Sequence, residues 1–278
     1  MRYAVLTGAG SGLGRELALV LAREGFRTLL ADINPAGALE TLDMVLRSGG
    51  EGEVIEVDVT KRESVETMAR HAFDSFGRVD LLVNNAGVTC AGYTGDIPLE
   101  NWEWCLNVDL WGMIYGCHYF IPGMKAQGGG GHIVNVSSSA GIMCLPEMGP
   151  YNVAKAGVVA LSETIRGELA PHGIGVTVVC PTFFRTNLLE SMRYQDEFQK
   201  SFARTTFDNG RMSAADIAED ILKAVKKNRL YAVPQLSGRL FWFNKRMAPE
   251  TYNRVVAFTM RKKFGERLVL VLARWGLL

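Results

Sequence analysis

Thr7-Gly8-Ala9-Gly10-Ser11-Gly12-Leu13-Gly14 follows the apolar run 3–6 and opens at once into helix-spaced apolar residues over 13–24. Glycines at such a junction permit a tight turn and a close backbone approach, so a pyrophosphate can rest on the helix N-terminus. The spacing Gly8-x3-Gly12-x-Gly14 differs from the six-residue Gly-x-Gly-x-x-Gly pattern, although Gly10-x-Gly12 falls inside it. Its position between a first strand and a first helix carries the weight. Asp32 ends the second strand eighteen residues after Gly14, with Ile33 behind it. A carboxylate there accepts hydrogen bonds from an adenosine ribose and repels a 2′-phosphate. Ser11 occupies a loop position open to a phosphate-binding Arg or Lys, and Arg15 is the one nearby basic residue. NAD is therefore expected over NADP.

Outward from this turn the pattern repeats. Runs 3–6, 28–31, 54–57, 79–83, 132–136, 175–179 and 231–233 read as strands. Stretches 13–24, 63–76, 101–125, 151–170 and 214–227 carry apolar residues at helical spacing. Strands apolar on both faces, alternating with helices, imply an α/β protein: one doubly wound, Rossmann-type parallel sheet with helices on both faces. Residues 1–235 are expected to form the nucleotide-binding and catalytic domain, and 236–278 a helical C-terminal extension. The glycine run 128–131 reads as a loop before the fifth strand.

Composition agrees with a sizeable core: 48% of the 278 residues are hydrophobic and 21% charged. Cys90, Cys105, Cys117, Cys144 and Cys180 are odd in number and widely spaced, which reads as free thiols in a reducing compartment. No signal peptide or membrane span is legible, so a cytoplasmic enzyme is expected. His71, His118, His132 and His172 show no ligand spacing, and no metal site is expected. Residues 229–278 hold ten Lys/Arg against Glu250 and Glu266, while the whole chain carries only +1. An acidic body thus bears a basic tail, too short a basic segment for nucleic-acid binding.

Tyr151 and Lys155 stand one helical turn apart, and Ser138 lies thirteen residues before the tyrosine. A phenol, an ammonium and a hydroxyl can together move a proton on or off an alcohol oxygen. The lysine charge favours phenolate, and the serine holds the substrate oxygen. Asp58-Val59 ends the third strand and offers adenine an acceptor beside an apolar contact. Asn84-Asn85-Ala86-Gly87 ends the fourth, where Gly87 permits a sharp turn beneath a ligand.

In this order over residues 3–235, these motifs, with Asn107 in Leu-Asn-Val-Asp-Leu-Trp-Gly and with Pro181, resemble the short-chain dehydrogenase/reductase family. The resemblance implies hydride transfer with NAD(P) and a catalytic tetrad of Asn107, Ser138, Tyr151 and Lys155. Among the consecutive serines 137–139, the family's interval to tyrosine selects Ser138, and strand alternation turns Ser137 away. The resemblance also implies that Lys155 holds the nicotinamide ribose, that Asn107 orders a proton-relaying water, and that Thr186 meets the carboxamide. Homodimers or homotetramers paired through the Asn107 and Tyr151 helices are expected. Where the family often reads Pro-Gly, this chain has Pro181-Thr182-Phe183-Phe184-Arg185-Thr186, a stiffer loop beneath the cofactor that brings Phe184 within its reach.

Met143, Leu145 and Met148 precede the tyrosine, and Phe183, Leu188, Leu189 and Met192 follow Pro181. With Phe198, Phe202 and Phe207 on an expected lid, they suit a bulky apolar secondary alcohol or ketone. Phe241-Trp242-Phe243, Arg261-Lys262-Lys263 and the apolar end 268–278 allow two readings of the extension: packing over the entrance or a subunit, or a peripheral contact with an anionic membrane. Two other functions compete with an alcohol dehydrogenase or ketone reductase. One is a dinucleotide-binding sensor or scaffold, and the other a membrane-associated lipid-handling protein.

Overall fold

In the computed structural model, which describes residues 1–261, the glycine turn joins β1 (Arg2–Thr7) to α1 (Gly12–Arg23). Strand and helix then alternate through β2 (Phe26–Asp32), α2 (Pro35–Arg47), β3 (Glu51–Glu56), α3 (Arg62–Phe76) and β4 (Leu81–Asn84). After the short β5 (Cys90–Ala91) comes one long helical stretch. It comprises α4 (Leu99–Leu106), a π-helical turn (Asn107–Trp111) and α5 (Gly112–Ala126). β6 (Gly131–Val136), α6 (Ala140–Met143), α7 (Gly149–Leu169) and β7 (Ile174–Val179) follow. Then come β8 (Arg193–Tyr194), α8 (Glu197–Asp208), α9 (Ala214–Lys226), β9 (Tyr231–Ala232), α10 (Leu236–Met247) and α11 (Pro249–Arg261).

Seven strands pair in parallel in the order β3-β2-β1-β4-β6-β7-β9. Residue alternation sends Ala4 and Leu6 of β1 into one core with α1 and α9, and Val5 into another with α3, α5 and α7. Burying such aliphatic side chains on both faces, at roughly 1.5–3 kcal/mol each, drives the helices onto the sheet. The strand order reverses beside β1, which opens a crevice at the carboxyl ends of β1 and β4. Thr7 and Asn85 close its floor. The Asn85 and Ala86 amides donate to Thr7 Oγ1 at 3.0 and 3.1 Å, and Asn85 Nδ2 donates to the Thr7 carbonyl at 2.9 Å.

The parallel sheet appears as expected, but several elements differ. Residues 35–47, to which the sequence reading assigned no element, form α2: Asn34 accepts from the Gly37 amide at 3.3 Å, and Pro35 takes the first turn. An Asn-Pro helix start outweighed a Pro/Gly-rich opening that reads as a turn. The helix expected over 101–125 begins at Leu99 and passes through the π turn. β5 and β8 form a separate two-stranded parallel pair. Their two-residue lengths give no periodic signal.

Residues 236–261 pack beside the sheet and α6. Lys245 Nζ and the Tyr252 hydroxyl both donate to the Met143 carbonyl, at 3.3 and 3.2 Å. Phe241 and Trp242 pack with Met143, Val178 and Val233. Lys262, Lys263 and the apolar end 268–278 lie outside the described residues. Among the described residues, no helix is long and apolar enough to cross a membrane.

Candidate active site

A cavity of about 940 Å³ follows the carboxyl ends of the strands, from Gly8 and Asp32 to α11. At one end the glycine turn is shaped by backbone contact. Gly8 and Gly12 sit at φ of 66° and 51°, and a Cβ on Gly14 would lie 1.9 Å from the Gly8 carbonyl oxygen. Such contact is open only to glycine. The first turn of α1 holds no acidic residue and Ser11 makes no side-chain cap bond, which leaves the helix N-terminus to a pyrophosphate.

Asp32 is locked to this turn. Its Oδ2 accepts from the Gly10 amide at 2.7 Å and its Oδ1 from the Asn34 amide at 2.9 Å. α2 buttresses the same loop, with Thr41 Oγ1 donating to the Ala9 carbonyl at 2.9 Å. Arg15 donates to the Gly10 carbonyl at 2.7 Å, to Thr41 Oγ1 at 3.1 Å and to Glu40 at 2.9 Å. Ser11, Leu13, Ile33, Asp58, Val59, Asn85, Ala86 and Gly87 line the cavity, as do Pro181, Phe184 and Thr186. Asp58 Oδ1 is held by the Thr60 amide and hydroxyl, at 2.9 and 2.6 Å. This arrangement fits a nicotinamide dinucleotide: a glycine cradle for its phosphates, a carboxylate at the ribose end, and a crevice long enough to continue past Tyr151.

Ser138, Tyr151 and Lys155 come together at the middle of the cavity. Ser138 follows β6, lines the cavity with Tyr151 and accepts the Ala140 amide at 3.1 Å. Ser137 instead donates to the Lys155 carbonyl at 2.8 Å. The Lys155 ammonium lies 5.6 Å from the Tyr151 ring centre and donates to the Val136 carbonyl at 3.2 Å. Tyr151 and Lys155 are both buried.

Asn107 does not join this group. It is exposed on the π turn and lies outside the cavity lining, which corrects its expected catalytic role. Asp109, two residues on, faces inward instead. It is fully buried, 3.5 Å from Lys155 Nζ, and accepts from the Val88 amide at 2.8 Å. Two residues along a helix turn a side chain to the opposite face. The buried positions Cys105, Asp109, Met113 and Cys117 recur every four residues, a stripe that identifies the inward aspartate from sequence.

The electrostatics also differ from expectation. Burial pushes the Tyr151 hydroxyl above the ordinary phenol value, the Asp109 charge adds to this, and the Ser138 hydrogen bond opposes it. Lys155 is engaged with Asp109 and is not among the groups that shift the phenol.

Met143, Leu145, Met148, Phe183 and Leu188 line the far end, with Leu189, Met192 and the α8 phenylalanines 198, 202 and 207. Phe183 packs edge-on against Phe207 and Phe202, at 5.4 and 6.4 Å between ring centres. Sequence reasoning missed two contributors here. Val255, Val256, Thr259 and Met260 of α11 close the wall, a placement set by long-range docking. Glu147, at φ 64°, accepts from Gln199 Nε2 at 3.0 Å and ties α8 to the loop before Tyr151. Cys144 shares the left-handed conformation at φ 54°.

A nucleotide crevice on a parallel sheet beside a Ser-Tyr-Lys cluster defines a dinucleotide-dependent class, and comparison with known proteins agrees. Residues 2–197 match the profile of the short chain dehydrogenase family. The chain belongs to that family, whose members bind nicotinamide dinucleotides. It is 34% identical over 237 residues to a Mycobacterium tuberculosis protein named "Probable oxidoreductase EphD", covering 81% of this chain but 39% of that one. A cyclohexanol dehydrogenase of an Acinetobacter species is 33% identical over 189 residues, 68% of this chain and 75% of that one. The crystal structure of a short chain dehydrogenase/reductase from Burkholderia phymatum in complex with NAD superposes with a TM-score of 0.85. It is 30% identical and covers 90% of this chain and 94% of that one.

Proposed function

We propose that the protein is an NAD-dependent oxidoreductase acting on a hydrophobic secondary alcohol or ketone. The observation that carries this reading is the continuity of the cavity: glycine turn, proton-transfer cluster and apolar wall line one space. NAD is favoured because Asp32 faces the ribose end, while Arg15 is already bound to Gly10, Thr41 and Glu40. When bound, the dinucleotide supplies the hydride donor or acceptor. Tyr151 takes the hydroxyl proton of an alcohol in oxidation and returns it to the ketone oxygen in reduction. The Ser138 hydroxyl donates to that oxygen and stabilises its developing negative charge. Lys155 holds the nicotinamide ribose.

The Met and Phe side chains of the far end, together with α11, favour an alicyclic, aromatic or long-chain substrate. The cyclohexanol dehydrogenase relationship supports the secondary alcohol. Trp111 and Val153, exposed on the helical stretch of Asp109 and on α7, mark the faces through which a homodimer or homotetramer is proposed to pair.

The test follows reduced-nicotinamide absorbance across a panel of secondary alcohols, with NAD and NADP in parallel. Turnover with NAD and apolar alcohols is expected, and Tyr151→Phe should cost about 10²–10⁴-fold in turnover with NAD binding nearly unchanged. Preference for polyols overturns the substrate class. Strong preference for NADP overturns the role of Asp32, and near-normal turnover of Tyr151→Phe overturns the proton-transfer assignment.

A further inference from the structure

Asp109 is a fully buried carboxylate with no place in the reaction as described so far. Its Oδ1 lies 3.5 Å from Lys155 Nζ and accepts the Val88 amide at 2.8 Å, and its Oδ2 accepts the Cys105 thiol at 3.6 Å. Gly87 leaves room for the pair: a Cβ there would lie 2.9 Å from Asp109 Oδ1 and 3.2 Å from Lys155 Nζ. We propose that Asp109 is a positioning residue whose carboxylate holds the Lys155 ammonium in a buried ion pair and sets the pH at which Tyr151 exchanges its proton with substrate. The inference rests on the assignment of Tyr151 as the proton-transfer group.

The physical reason is charge cancellation. A lone ammonium beside a buried phenol favours phenolate, whereas an ion pair presents a dipole and a weaker field. The ionisable groups around the cluster come from four elements: Cys105 from α4, Cys90 from β5, Cys180 after β7, and Lys155 from α7. Burial raises all three thiols above their ordinary values, so they stay neutral through the working range. Burial pushes the Asp109 carboxyl above its ordinary value; the Lys155 ammonium is the strongest influence opposing this, followed by the Val88 amide and the Cys105 thiol, and the Asp109 charge in turn raises the Tyr151 hydroxyl.

Alcohol oxidation requires the unprotonated phenol oxygen, so activity rises with pH as Tyr151 loses its proton. Without the aspartate charge, Lys155 stands unpaired and that rise moves to lower pH. Asp109→Asn should shift the acid limb of kcat for oxidation down by about one to two pH units. The high-pH fall of ketone reduction should move the same way. Ultraviolet phenolate titration of the cofactor-free protein, with the Tyr151→Phe trace subtracted, should show the same shift without any turnover.

Asp109→Ser is a second neutral variant with the same expected direction, in case the asparagine does not fold. Asp109→Glu keeps the charge and should keep the wild-type limb. An unmoved limb in a folded neutral variant, or an equal shift in Asp109→Glu, overturns the role. So does a uniform loss of kcat at every pH with no shift in the phenolate titration. Near-normal turnover of Tyr151→Phe would instead overturn the underlying assignment, so the two failures are distinguishable.

Discussion

The two ends of the cavity are built on different principles. At the glycine turn polar side chains clamp the backbone: Asp32 accepts from the Gly10 amide, and Asn85 and Thr41 donate to the Thr7 and Ala9 carbonyls. At the far end the wall consists of side chains from segments distant in sequence, among them Met143, Phe183, Phe207 and Val256. Hydrogen bonds are directional and fix positions to a few tenths of an ångström, whereas apolar contacts are non-directional and tolerate exchange of shape. One end can therefore serve a constant ligand while the other varies with substrate.

The largest effect should come from intruding on the glycine turn. Gly14→Ala places a methyl group 1.9 Å from the Gly8 carbonyl oxygen, so the turn must move. Overpacking of this kind commonly costs about 1–3 kcal/mol, and at roughly 2–4 °C per kcal/mol for a chain of this size a thermal melt should fall by several degrees. Calorimetric titration with NAD should show binding weakened at least in proportion. A variant that melts and binds like wild type would show that the turn accommodates a side chain at residue 14.

A smaller and more selective change is expected from Asp32→Asn. It keeps an acceptor for Gly10 or Asn34 but removes the charge, and hydrogen bonds to charged groups are worth about 1.5–3 kcal/mol. KM for NAD should rise about tenfold while KM for NADP rises less or falls, as measured by initial rates at saturating alcohol. An equal rise for both cofactors would deny Asp32 a part in discrimination.

The substrate end should respond more mildly. Val256→Trp fills part of the α11 wall, and kcat/KM for bulky alcohols should drop about tenfold while small cyclic alcohols are little affected. A single changed hydrophobic contact is worth about 1–3 kcal/mol in discrimination. Equal effects across the panel would mean that α11 covers the cavity without reading what enters it.

The legible part of the molecule was local. Strand runs, the Gly8–Gly14 turn, Asp32 at a strand end, and Tyr151 with Lys155 on one helix face are short-range patterns. The doubly wound parallel sheet followed from them through right-handed crossovers, and its strand order was read from the folded chain. α2 escaped because its Pro and Gly residues resemble a turn, although the Asn34-Pro35 start was there to be read. Asn107 drew the catalytic role through its motif, whereas the four-residue spacing of Cys105, Asp109, Met113 and Cys117 is the signal by which the inward aspartate could have been found. Neither Glu147 nor the α11 wall carries a local signal. Both become part of the site through contacts spanning from 52 to 109 residues.

What short-range chemistry could specify was the class of fold, the glycine turn after the first strand and the placing of Tyr151 and Lys155 on one helix face. Each depends on residues close together in the chain, or on glycines that permit one conformation. The pairing of Asp109 with Lys155, the docking of α10 and α11 on Met143, and the shape of the substrate wall came from the folded chain. They arise where burial removes water, so that a charge must find a partner and an apolar face must find another, wherever in the sequence these lie.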